Sequence, residues 1–141
     1  MSADDLTFLD TNVLVYLFDE EEPKKRERAW EVLEASGSEG LVLSTQVLQE
    51  FFVAVTRKLS PPLAPEDAEQ IVRHLARLPM VQIDPALVLS AIGTSRRHKI
   101  SLWDALIVQA ALAGGCTRLL TEDLHPGTQF ESLRVENPFA S

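Results

Sequence analysis

Short strand-type apolar runs alternate with segments of helical periodicity along this chain, and that alternation restricts the fold more than any other feature. Leu6-Thr7-Phe8-Leu9 reads as a buried strand, and Asn12 to Phe18 as a first helix. Pro23 opens a helix running to about Ala35, stopped by Gly37. Leu41-Val42-Leu43 is a second strand. Ser44 and Thr45 are candidate N-caps for a helix carrying Val47, Leu48, Phe51, Phe52, Val55 and Leu59 at helical spacing, which Pro61-Pro62 breaks. A helix from Pro65-Glu66-Asp67 ends before Pro79, and a strand covers Met80 to Ile83. Pro85 starts a helix to about Arg97, and Ser101 starts another to Gly114. Thr117 to Thr121 is a fourth strand and Leu133 to Val135 a fifth. Strands and helices in alternation build a mainly parallel sheet covered on both faces, an α/β architecture.

No repeat, low-complexity tract or linker divides the chain, so residues 1–141 are expected to form one domain. The single cysteine, Cys116, excludes an intrachain disulfide framework and reads as a small buried hydrophobe. Met1-Ser2-Ala3-Asp4-Asp5 is acidic and precedes only a short apolar run, unlike a secretory leader. No segment approaches the ~20 apolar residues that span a bilayer. The expected location is the cytoplasm, with no membrane partner.

In parallel α/β sheets, sites lie at the carboxyl ends of strands. Asp10 and Asp123 both follow such ends. Asp10 reads either as an N-cap between strand and helix or as a ligand on a rigid strand end, with Asn12 orienting it or a bound water. Asp123 reads as a turn residue or a site acid, and its neighbour Glu122 could serve instead. Asp104 sits in a helix whose only polar positions from Leu102 to Ala113 are Asp104 and Gln109. Such a helix should be buried, where a carboxylate needs a partner or a metal. Alternatively, Ser101-Leu102-Trp103-Asp104 is a capping box. Glu50, beside Val47, Val53 and Ala54, reads in isolation as a solvated glutamate. Asp19 is a further acid near the first helix's end, ranked below the others. Trp30 and Trp103 read as core residues rather than as stacking surfaces.

Taken in order, Phe8-Leu9-Asp10-Thr11-Asn12-Val13-Leu14, Gln46-Val47-Leu48-Gln49-Glu50-Phe51, Ser101-Leu102-Trp103-Asp104-Ala105-Leu106-Ile107 and Leu119-Leu120-Thr121-Glu122-Asp123-Leu124 resemble the PIN-domain nucleases. More narrowly, they are similar to the toxin subunit of VapBC-type toxin–antitoxin pairs, as is the ending Val135-Glu136-Asn137-Pro138-Phe139. The resemblance implies a three-layer α/β/α sandwich and a Mg²⁺- or Mn²⁺-dependent, single-strand-selective ribonuclease. It also implies a homodimer inhibited by an antitoxin whose C-terminal segment occupies the active-site groove. Acid roles carry over to Asp10, Glu50, Asp104 and Asp123, with supporting roles for Asn12 and Thr121.

The chemistry agrees with this. Clustered carboxylates repel one another until a hard divalent cation joins them, and all-oxygen donors suit Mg²⁺ or Mn²⁺. Asp10 and Asp104 are the expected direct ligands, with Glu50 and Asp123 holding a second metal or acting through water. His74, His98 and His125 show no ligand spacing for zinc, and His125 reads as a turn residue near Asp123. The formal charge of −8 and pI near 4.8 run against a nucleic-acid binder, so basic groups must be local. Arg96 and Arg97 are candidate RNA contacts. Arg57-Lys58 fits a helix C-terminus, and Lys24-Lys25-Arg26-Arg28 a solvated helix face. Two other classes compete: an aspartate-nucleophile phosphatase, for which Asp10-Thr11-Asn12 lacks the D-x-D pattern, and a non-catalytic RNA- or protein-binding module.

Overall fold

The computed structural model describes residues 5–140, Ser38 by its backbone alone. Most of the acidic N-terminal stretch considered above (residues 1–4) lies outside the described residues. The elements run β1 (Thr7–Leu9), α1 (Thr11–Tyr16), α2 (Pro23–Ser36), a 3₁₀ turn (Ser38–Gly40), β2 (Leu41–Ser44), α3 (Thr45–Arg57) and α4 (Pro65–Leu75). Then come β3 (Met80–Val81), α5 (Pro85–His98), α6 (Leu102–Ala113), β4 (Arg118–Leu120), β5 (Gln129–Phe130) and β6 (Leu133–Glu136).

Local chemistry explains the helix starts. Side-chain oxygens of Asp10, Ser44, Asp84 and Ser101 accept from the first-turn amides of α1, α3, α5 and α6. Proline opens α2, α4 and α5, where its missing N–H costs nothing.

The six strands pair in the order β3-β2-β1-β4-β6-β5, parallel throughout except for β5 against β6. Every residue of β1 and β2 is buried, as strands covered on both faces require. On one side α6 crosses β2, β3, β4 and β6 and carries α5; the other helices group around α3, which packs on β2 with α1 and α4 beside it. The mainly parallel α/β/α sandwich follows.

Three sequence expectations need correction. The antiparallel edge strand β5 was not foreseen, because two residues carry no periodicity. The third strand stops at Val81 rather than Ile83: the Ile83 amide leaves the ladder and donates to Thr45 Oγ1 (3.2 Å). The tryptophans are not core residues, Trp30 being 42% and Trp103 63% exposed. Phe52 is likewise exposed, since Val47, Phe51 and Val55 are the buried positions of the broad apolar arc of α3, with Leu48 packed against the core beside them. Cys116 is buried as expected, and burial pushes its thiol up to about 12.

Gly114 caps α6 at its closest approach to the sheet. A Cβ there would stand 2.9 Å from Val42 Cγ1 and 3.2 Å from Val81 Cγ2. Although its backbone is ordinary right-handed (φ −80), Gly114→Ala should destabilise the fold by about 1–3 kcal/mol through overpacking. Urea denaturation checks this, and a variant as stable as the parent would show that the α6–sheet contact is slack.

Candidate active site

β1 has β2 on one side and β4 on the other, so chain order reverses beside it. That arrangement opens a crevice at the strands' carboxyl ends. Leu9 is in register with Leu120, and the Asp10 amide donates to the Leu120 carbonyl (3.0 Å). Asp10 and Thr121, the next residues of the two strands, therefore meet. Asp10 is 5% exposed. Its Oδ1 accepts from the Thr11 amide (2.7 Å) and its Oδ2 from the Thr121 hydroxyl (2.8 Å). Asp10 is thus both the N-cap of α1 and a buried carboxylate.

Thr121 uses its whole bonding capacity. While donating to Asp10, its oxygen accepts from Asn12 Nδ2 (3.3 Å) and from the Asp123 amide (3.0 Å). Asn12 Nδ2 also donates to Asp123 Oδ2 (3.0 Å). Asn12 thus orients Asp123 and Thr121, not Asp10 directly. Glu122, the alternative to Asp123, turns away: Tyr16 OH donates to its Oε1 (2.5 Å) and Lys25 Nζ to its Oε2 (3.1 Å). Lys25 is consequently an anchored residue rather than part of a solvated face. Its bonds to Tyr16 and then Glu122 raise its pKa.

Glu50 is half-buried, not solvated. Thr11 Oγ1 donates to its Oε1 (2.8 Å) and Gln46 Nε2 to its Oε2 (3.3 Å). The same Gln46 amide donates to the Trp103 carbonyl (3.3 Å), joining α3 to the first turn of α6 beside Asp104. Asp104 is half-buried rather than enclosed, and Ser101 Oγ accepts from its amide (3.0 Å), the N-cap half of the capping box. Thr11 and Gln46 were missed as site residues. Gln46 carried a signal, since it stands one turn before Glu50 on the same helix face.

The electrostatics tie the four acids together. Burial pushes Asp10 up to about 7 against the bonds from Thr121 and Thr11, with Asp123 and Glu50 adding repulsion. Asp104 is also raised, first by burial and then by Asp123 and Glu50, while Ser101 opposes the shift. None of the ion pairs among the described residues involves Asp10, Glu50, Asp104 or Asp123. Beside them lies a cleft of about 580 Å³ lined by Thr11, Asn12, Glu50 and Asp123, with Tyr16, Asp19 and Lys58 among its other walls. Asp19, ranked low from sequence, is thus at the cleft. Arg96 and Arg97 are not; they line a separate hollow with Gly93 on α5. None of the three histidines lines the cleft.

Does this donor set suit a metal? Among the described residues, no three acidic, histidine or cysteine side chains form a ready-made ligand group. The acids share one field without closing on a point. Their chemistry nevertheless fits a hard cation: oxygen donors only and, among the described residues, no basic partner and a buried Asn12 Oδ1 left without a hydrogen bond.

A family model described as PIN domain matches residues 7–126. The chain belongs to the PIN domain family. Solved structures share its fold: a toxin–antitoxin complex from Klebsiella pneumoniae matches at 20% identity and a TM-score of 0.71, covering 94% of this chain and 98% of that one. DNA-bound VapBC from Salmonella typhimurium matches at 19% identity and 0.66, covering 95% and 98%. The sarcin-ricin-loop-cleaving toxin VapC20 of Mycobacterium tuberculosis matches at 17% identity and 0.59, covering 80% and 86%. At these identities the likeness is one of fold. No curated protein matches the sequence.

In this PIN domain the folded Asp10 takes up a proton more readily than the unfolded chain does, holding it up to about pH 7 against 3.8. Its favourable contribution is complete below that lower value and is lost as pH rises through the upper one. In metal-stripped protein, Asp10→Asn should therefore be the more stable form above pH 7, by about 1–3 kcal/mol. The difference should close towards pH 4. Thermal melts in chelator across that range test it, and parallel pH profiles for parent and variant would refute the buried-charge account.

Proposed function

We propose that this PIN domain is a divalent-metal-dependent endoribonuclease and the toxin of a toxin–antitoxin pair. The observation that carries the reading is the gathering of Asp10, Glu50, Asp104 and Asp123, from four separate segments, into one field with no cationic partner among the described residues. Uncompensated carboxylates at a sheet switch point are costly unless a cation or a proton relieves them. The fold neighbours named above include toxin–antitoxin complexes and an RNA-cleaving toxin, which supports the same choice.

Asp10 and Asp104 are assigned as direct ligands, with Glu50 and Asp123 completing a second position or acting through water. A bound Mg²⁺ or Mn²⁺ supplies Lewis acidity towards a phosphodiester and makes water more acidic. The protein's own groups do the positioning. Thr121 and the Thr11 amide hold both oxygens of Asp10, Asn12 aims Asp123, and Thr11 with Gln46 aims Glu50. Lys58 on the cleft wall, and Arg96 and Arg97 beyond it, contact the RNA backbone.

The partner is an antitoxin whose segment fills the cleft, where Val15, Val53, Ala54 and Leu59 offer an apolar lining beside the acids. The active assembly is a homodimer acting in the cytoplasm; no helix among the described residues is long and apolar enough to cross a membrane.

Purified protein should cleave single-stranded RNA with Mn²⁺ or Mg²⁺ and stop in excess EDTA. Thr121→Val should lower the rate by about 10- to 100-fold, the usual cost of losing an orienting partner, and Asp10→Asn or Asp104→Asn by more. Cleavage persisting in EDTA or in Asp10→Asn defeats the proposal, and hydrolysis of small phosphoesters without RNA cleavage would point to a phosphatase. Neutralising Lys58, Arg96 and Arg97 one at a time should flatten the salt dependence of RNA binding by about one unit per true contact. A residue whose loss leaves the slope unchanged drops out of the account.

A further inference from the structure

The two tryptophans stand outside the core in different ways. On α2, the Trp30 indole N–H is bound to the Leu17 carbonyl (3.2 Å). Trp103 is 63% exposed, and among the described residues its indole makes no hydrogen bond or ring contact. Its backbone, by contrast, is held firmly. The carbonyl is gripped by the buried Gln46, whose amide also binds Glu50, and the next residue is Asp104 with its capped amide. The backbone beneath this free indole is thus tied through Gln46 to Glu50 and runs directly into Asp104.

We infer that Trp103 is a stacking platform for an unpaired nucleobase next to the scissile phosphate, an inference that rests on the ribonuclease reading above. Charge explains why such a contact is needed. The chain carries −8, and the acids beside Trp103 have no basic partners among the described residues, so the site repels phosphates before a cation binds. An aromatic face attracts any base without using charge, and only unpaired bases can reach it. The free indole N–H remains available to a base edge or sugar hydroxyl.

The test uses the full chain carrying Asp10→Asn to suppress turnover, with a short single-stranded RNA of mixed sequence as probe. In that background Trp103→Ala should weaken binding about tenfold, within the usual range for loss of one stacked base. Trp103→Phe should recover most of the affinity, and the salt slope should stay unchanged, because no phosphate contact is removed. With Trp30→Phe added, Trp103 is the sole tryptophan, and its fluorescence should change on RNA addition with the same binding constant. That readout stands even where the alanine variant fails to fold.

Unaltered affinity in Trp103→Ala, or an indole signal indifferent to RNA, overturns the inference. So does a Trp103→Ala protein that keeps its RNA affinity but shifts from dimer to monomer, since the indole then belongs to a second copy. If the wild-type chain neither binds nor cleaves RNA, the ribonuclease reading falls as well; intact cleavage with an indifferent Trp103 removes this inference alone.

Discussion

The hydrogen bond from Thr121 to Asp10, 2.8 Å long and closed to solvent, is the contact on which the rest of the site depends. It joins the carboxyl ends of β1 and β4, the two strands flanking the point where chain order reverses. Without the Leu9–Leu120 register the two residues would not face each other. With it, one hydroxyl serves Asp10, Asn12 and the Asp123 amide at once. A shift of one residue in either strand would send these side chains to the opposite face of the sheet.

The same contact sets up a tension. Neutral donors hold Asp10 in place but do not cancel its charge, so burial dominates and the group binds a proton up to about pH 7. Glu50 and Asp123 are aimed by neutral partners too. The nearest stretch of chain that does carry a paired acid, Glu122 with Lys25 and Tyr16, faces the other way and anchors the loop. Paired and unpaired carboxylates are therefore separated within two adjacent residues. Asp10 is thus left buried without a cationic partner among the described residues, at a cost in folding stability.

Local signals made most of the fold legible. Capping residues and prolines marked helix starts, and continuous apolar runs marked strands buried on both faces. The exceptions were elements too short to carry a period, such as β5, and residues whose apolar character misstated their position. Trp103 was read as core because tryptophan is usually covered. Nothing in the local sequence shows that the first turn of α6 leaves this side chain exposed. Arg96 and Arg97 precede the Asp104 helix in the chain, yet they line a different hollow, whereas Lys58, dismissed as a helix-end cation, borders the cleft.

By itself the sequence determined which residue types could serve and where the helices and strands begin, because capping, periodicity and turn chemistry act over a few residues. It also placed Asp10 and Asp123 just past strand ends. Only the tertiary structure decided what each acid experiences. Glu50 meets its partner across 39 residues of chain and Asp10 across 111. A carboxylate's charge state follows from burial and from neighbours brought together by strand order, and no local pattern encodes that.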